Sequence, residues 1–155
     1  MTAVIAALRA EGLVAAVGGS GLLVALGLAD VAHDWDVTVD AAPASVAAAL
    51  GRSGLAYRDG TERGGIYASA ARYVVDGADH QVDLLVNFAL RGPDGVERLP
   101  TLVAGGWRGL PLADPGVWAR AYRLLGRTPK AVALERWLVT RPGTPRPSCD
   151  WSDHK

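Results

Sequence analysis

The sequence predicts an α/β (α+β) domain with a mixed, largely antiparallel sheet flanked by helices, and three observations carry that prediction. An apolar run over residues 13–17 breaks at Gly18-Gly19-Ser20-Gly21 and resumes over 22–28, giving the order strand, glycine turn, helix. Residues 34–40 alternate strictly between polar and apolar side chains, the period-two signature of a strand. Two β-rich runs, 71–75 and 80–88, are joined by Asp76-Gly77-Ala78-Asp79, which suits a hairpin turn.

Taken in order, Thr2 is a candidate cap for a first helix that carries Ala, Val, Ile and Leu at helical spacing and ends near Gly12. Residues 13–17 read as a buried strand, and the helix after the glycine turn starts at Ser20 or Gly21. On the 34–40 strand Asp34, Asp36, Thr38 and Asp40 share one face and Trp35, Val37 and Val39 the other, so one face is acidic and the other core. Pro43 opens a helix that runs to about Arg52 and is closed by Gly54, followed by a short strand at 55–58 and a loop at 61–65. After the 71–88 hairpin, Gly92-Pro93-Asp94-Gly95 is a second turn and 96–103 a strand. Gly105-Gly106 is a break where the sheet is expected to end. Asp114-Pro115 combines an N-cap with proline at the first helical position, and Trp118, Ala121, Tyr122 and Leu125 share one face of the helix it starts. Thr128-Pro129 repeats the device for a last helix with Val132, Leu134, Trp137 and Leu138. The prolines and polar residues from Arg141 onward predict a mobile tail, so the domain is assigned to 1–140 and the tail to 141–155.

A chain of 155 residues, half of them apolar and 21% charged, suffices for one domain with a real core and not for two. Sixteen basic side chains balance sixteen acidic ones, so net charge points to neither a nucleic acid nor an anionic membrane as the main partner. No stretch approaches the ~20 apolar residues of a membrane span, and the first residues lack the pattern of a secretion signal. The single cysteine, Cys149, has no partner for an intramolecular disulfide. These features predict a soluble, cytoplasmic protein.

The acidic face is the chemically informative part. Same-face residues two apart on a strand are roughly 7 Å apart at Cα, so Asp34 and Asp36 can reach one or two ions. Mg²⁺ prefers a few carboxylates together with water and phosphate oxygens. A third carboxylate is expected from a neighbouring strand. Asp83 is the candidate, because Gln81, Asp83 and Leu85 share a face opposite Val82, Leu84 and Val86, and an acid in so apolar a strand needs a cation, a partner or a proton. Gly18 and Gly19 let backbone approach phosphate closely, and Ser20 adds a hydroxyl beside the free N–H groups of the next helix. The turn is neither a Walker loop, since no Gly-Lys-Ser/Thr follows, nor a dinucleotide fingerprint, since Val24 stands where the third glycine belongs.

Together, Val17-Gly18-Gly19-Ser20, Asp34-Trp35-Asp36-Val37 and Val82-Asp83-Leu84 resemble the signature of the nucleotidyltransferase superfamily related to DNA polymerase beta. That signature is a hydrophobic residue before Gly, Gly or Ser, then Asp-h-Asp/Glu-h, and later h-Asp-h, with h apolar. The resemblance covers roughly residues 13–88. It implies that Gly18, Gly19 and Ser20 bind the triphosphate of a nucleotide, ATP in the first instance. Asp34, Asp36 and Asp83 would hold Mg²⁺, two ions in all, with Asp83 the third ligand or the group that helps deprotonate a hydroxyl acceptor. The helical end looks like that of small family members, except that Arg120 and Arg123 stand where many relatives carry a lysine. Larger relatives add a helical acceptor domain for which this chain has no room. A homodimer, or a helical protein partner of a nucleotide-binding or antitoxin-like module with little catalysis of its own, is the alternative that this implies.

Each residue also has a plainer reading. The acidic face could be the solvated side of an edge strand, and the glycine turn an ordinary connection. His33 and His80 suggest a metallohydrolase only superficially, because both sit at strand starts and suit loop or supporting roles. Trp107, Trp118, Tyr122 and Trp137 read as core or helix packing rather than base-stacking platforms. Arg63, Arg120, Arg123, Arg127 and Lys130 read as solvated charges, any of which could touch phosphate. Base and acceptor specificity are assigned to the loops at 61–65 and 90–95.

Overall fold

Which apolar runs become neighbours in the sheet decides where everything else lies. The computed structural model describes residues 1–32, 34–77 and 80–140. Their order is α1 (Thr2–Ala10), β1 (Ala15–Gly18), α2 (Gly19–Ala25), β2 (Trp35–Val39), α3 (Pro43–Arg52), β3 (Tyr57–Asp59) and β4 (Ala71–Asp76). There follow β5 (Gln81–Val86), β6 (Ala89–Gly92), β7 (Gly95–Arg98), β8 (Val103–Trp107), β9 (Leu110–Ala113), α4 (Pro115–Leu124) and α5 (Thr128–Thr140). Seven strands form one open sheet in the order β3-β4-β5-β2-β1-β9-β8, while β6 and β7 form a separate hairpin. Only the β2–β5 and β1–β9 pairings are parallel among these strands, so the sheet is mixed and largely antiparallel, as predicted.

The strand alternation sorts the sheet into two faces. Val17, Val37, Val39, Val82, Leu84 and Val86 fall on one, all of them buried. There α3 is tied down by the Tyr73 hydroxyl, which donates to the Pro43 carbonyl at 3.4 Å. The other face carries Ala16, Gly18, Asp36, Thr38, Asp83 and Leu85. Above it lies Trp118 of α4, whose indole stacks on Phe88 at 5.2 Å and tilts against Tyr122 at 5.8 Å. Asp114 caps α4 as its position before Pro115 predicts, accepting from the Gly116 and Val117 amides at 2.7 and 3.2 Å.

Several expectations need correction. The 34–40 strand is central rather than an edge, and its polar face is not openly solvated: Thr38 is 2% exposed and bonds the Thr101 hydroxyl at 2.9 Å, leaving only Asp34 and Asp40 exposed at the ends. Helix α2 begins at Gly19, and α1 is capped by the Met1 carbonyl with Thr2 already inside the helix. The short third strand falls at Tyr57–Asp59 instead of 55–58. The run at 80–88 divides, because Asn87 adopts φ 52° and clamps the Ala41 backbone through its side chain, so β6 starts afresh at Ala89. Residues 90–95 are therefore hairpin rather than loop. The strand expected over 96–103 also breaks, at Pro100, which has no N–H to offer a ladder. Gly105-Gly106 does not end the sheet but lies inside β8. The reversal comes at Arg108-Gly109, both at positive φ, which a tight two-residue hairpin requires. Ala78 and Asp79 of the hairpin turn, His33, and the tail 141–155 lie outside the described residues.

Leu84 is fully buried at the centre of β5. Leu84→Ala should lower unfolding stability by about 2–5 kcal/mol, read from the urea midpoint with an unchanged slope.

Candidate active site

Strand register brings the sequence motifs together. Gly18 on β1 pairs with Asp36 on β2, and Asp36 pairs with Asp83 on β5, so three consecutive strands present these residues side by side on one face. Neighbouring strands are about 4.8 Å apart, which brings the two carboxylates close. The two glycines are needed for different reasons. Gly19 has φ +58°, and a Cβ there would overlap the Asp36 carboxylate; a Cβ on Gly18 would overlap the Trp118 indole. The glycine turn thus lets the Asp36 carboxylate and the aromatic cover approach the backbone simultaneously.

A cavity of about 150 Å³ opens here. Ser20, Asp36 and Asp83 line it from the sheet side, Trp118 and Tyr122 from α4, and Tyr67, Glu62, Arg72 and Arg127 from the surrounding segments. Pockets that enclose a drug-sized ligand are about 300–1,000 Å³, so this one suits a small charged group rather than a whole ligand of that size.

Its electrostatics are those of crowded carboxylates. Burial, reinforced by the negative charges of Asp83 and Asp34, raises the Asp36 pKa from 3.8 to about 6, while Arg72 and Arg127 oppose the rise. Burial and the Asp36 charge raise the pKa values of Tyr67 and Tyr122 as well, so both phenols stay protonated hydrogen-bond donors at neutral pH. Asp83 Oδ1 accepts from Arg72 Nη2 at 2.9 Å and from Gln81 Nε2 at 3.4 Å. Among the described residues no three His, Cys, Asp or Glu side chains form a ready-made metal cluster. A paired Asp36 and Asp83 with Asp34 at the strand mouth nevertheless fits Mg²⁺, which takes few protein carboxylates and completes its shell with water and phosphate. The raised pKa of Asp36 marks a place where added positive charge is favourable.

Of the residues singled out in the sequence, Gly18, Gly19, Ser20, Asp36 and Asp83 converge. Asp34 is exposed at the end of β2 and does not line the cavity, although its charge is felt by Asp36. Trp118 and Tyr122 are core residues, as expected, and also form a cavity wall. Arg120 and Arg123 are occupied elsewhere, each holding a glutamate with two nitrogens: Glu97 at 2.7 and 2.8 Å, and Glu135 at 2.8 and 2.7 Å. Arg127 alone of that basic set lines the cavity. His80 is exposed and leans toward Trp35 on the opposite face, with ring centroids 6.1 Å apart. Tyr67, Glu62 and Arg72 belong to no motif. For Arg72 a signal existed: counting the hairpin outward from Asp76 and Gln81 sets Val74 opposite Asp83 and Arg72 one diagonal step away.

No protein-family model matches the chain, and no curated protein matches it in sequence. The fold does match solved structures, and it is a nucleotidyltransferase-like fold. A candidate nucleotidyltransferase from Thermotoga maritima, solved by crystallography, superposes with a TM-score of 0.64 at 21% identity over 89% of both chains. The antibiotic-resistance factor ANT(2'')-Ia in solution gives 0.60 at 14% identity, covering 88% of this chain and 81% of that one. Its crystal complex with adenylyl-2''-tobramycin gives 0.54 at 14% identity, covering 88% and 86%.

Because folding raises the Asp36 pKa, the site costs no stability below about pH 4, where folded and unfolded chains both hold the proton. Stability falls as pH rises through the folded value of about 6. A rise from 3.8 to about 6 corresponds to about 3 kcal/mol. In EDTA, Asp36→Asn should therefore be more stable than wild type at pH 8 by up to that amount, with the difference shrinking toward pH 4. Urea titrations across this range check it, and a pH-independent difference contradicts it.

Proposed function

We propose that this protein transfers a nucleoside monophosphate from a nucleoside triphosphate to a hydroxyl acceptor, with Mg²⁺ as cofactor. The observation that carries the reading is the register of Gly18, Asp36 and Asp83 across β1, β2 and β5, which sets the two carboxylates in the wall of one cavity beside the glycine turn. The fold it shares with nucleotidyltransferases supports it. ANT(2'')-Ia was solved with adenylyl-2''-tobramycin, which makes ATP the first donor to test.

In the proposed reaction the acceptor oxygen forms a bond to the α-phosphorus, the bond from that phosphorus to the oxygen bridging to the β-phosphate breaks, and pyrophosphate leaves with the electron pair. Asp34, Asp36 and Asp83 are the residues that would hold Mg²⁺, which neutralises triphosphate charge when bound. Gly18 and Gly19 keep the strand-to-helix turn free of side chains, and Ser20 offers a hydroxyl toward phosphate. The protonated Tyr67 and Tyr122 and the cationic Arg127 face the same space and suit phosphate oxygens. Asp83, which accepts from Arg72 in the absence of a cation, would serve as the third ligand or would help deprotonate the acceptor hydroxyl. No helix among the described residues is long and apolar enough to cross a membrane.

Incubation with α-labelled triphosphates, Mg²⁺ and cell extract should yield labelled acceptor and pyrophosphate, and EDTA should abolish both. Asp36→Asn and Asp83→Asn should each lower transfer on the order of a hundredfold or more with the fold retained by circular dichroism. Wild-type transfer by both variants eliminates the assignment. Triphosphate binding with no pyrophosphate release in any extract favours the non-catalytic module instead.

A further inference from the structure

We propose that Arg72 is the site's resident counter-cation: it holds Asp83 while no divalent cation is bound, then yields that carboxylate and turns its guanidinium to the triphosphate in the same cavity. This rests on the reading of Asp36 and Asp83 as cation ligands.

The geometry separates Arg72 from the two arginine pairs of α4, and its partial burial separates it from Arg52, which holds Glu11 by one nitrogen on the open surface. Arg120 and Arg123 each grip both oxygens of a glutamate on the surface, the arrangement of a fixed pair. Arg72 reaches one oxygen of Asp83 with one nitrogen, at 2.9 Å, and its guanidinium has no other hydrogen bond among the described residues. The side chains are 30% and 14% exposed, so the contact lies between water and core, where it is easily exchanged. The backbone beneath it is fixed. The Arg72 amide donates to Thr61 Oγ1 at 3.1 Å, and that hydroxyl donates to Asp59 at 2.5 Å. A long side chain on a fixed base, held by a single contact, can swing without disturbing the strand.

Charge supplies the reason to swing. One guanidinium only partly offsets Asp36 and Asp83, and a divalent cation offsets them better. Once displaced, Arg72 still lines the cavity shared with Ser20 and Asp36, and a planar guanidinium is a two-pronged phosphate ligand. Cation and triphosphate then favour each other's binding through Arg72, and such coupling is reciprocal.

The test uses Mn²⁺ and α,β-methylene-ATP as probes, with affinities from calorimetry and Mn²⁺ electron paramagnetic resonance. Arg72→Gln should bind Mn²⁺ alone on the order of tenfold more tightly, yet bind α,β-methylene-ATP at saturating Mn²⁺ on the order of tenfold more weakly. Arg72→Lys, which keeps the charge and loses the fork, should match wild type for Mn²⁺ and still bind the nucleotide more weakly. Changes of the same sign in both affinities, or none in either, overturn the proposal, since a structural role predicts one of those. Asp36→Asn separates the two levels. If it loses Mn²⁺ while Arg72→Gln changes nothing, the cation site stands and the role of Arg72 falls; if it binds Mn²⁺ as wild type does, both fall.

Discussion

Asp36 and Asp83 are held side by side because β2 and β5 run parallel in a register fixed by Val37, Leu84 and their neighbours on the opposite face. Shifting either strand by one residue would move its apolar set out of the core, so the hydrophobic pattern enforces the proximity of like charges. The cost appears as the raised pKa of Asp36. Arg72 and Arg127 reduce it without removing it, since burial is its largest cause. A fold selected only for stability would place a valine or threonine here, as it does at Thr38 two residues along the same face.

The second constraint is Trp118. Its indole occupies the space above Gly18 and stacks on Phe88, so α4 is anchored through aromatic packing beside the carboxylates. The ion pairs from α4 to Glu97 and Glu135 lie on the exposed side, where solvent screening leaves such contacts little net stabilisation. They orient the helix, and burial of Trp118, Ala121 and Tyr122 holds it. One glycine therefore serves two layers: it admits the indole and begins the turn that brings Gly19 against Asp36.

Much of this was legible in the sequence because the motifs lie where local rules are strong. Strict alternation on β2, the single acid in β5 and the proline-opened helices are short-range signals, and the elements that carry them stand where they were expected. The misreadings fell where tertiary contacts override propensity. Gly105 and Gly106 look like a break, yet β8 pairs with β9 at the sheet edge and tolerates them, while Arg108 takes a positive φ that its identity does not advertise. Asn87 ends β5 because its amide finds the Ala41 backbone 46 residues away, a partner invisible to any local window. Tyr67 reaches the cavity from a segment with no periodicity, and only the folded chain path shows it there. Arg72 was readable in principle, because hairpin register is arithmetic once the turn is known.

That segment also bears on how the site meets its ligands. Residues 61–65 were expected to form a loop, and the chain at its end, 65–67, is stitched to β6. Tyr67 bridges to Leu90, the Arg91 amide donates to the Ile66 carbonyl at 2.7 Å, and the Arg91 side chain binds the Gly65 and Tyr67 carbonyls. Glu62 and Tyr67 are thus presented from a braced rim, and a preformed rim loses little entropy when a ligand docks. The cavity is only about 150 Å³, so any ligand larger than that must extend across this rim and the Arg127 side. Discrimination between ligands would then be made by a few polar side chains at the mouth, while the sheet floor stays constant.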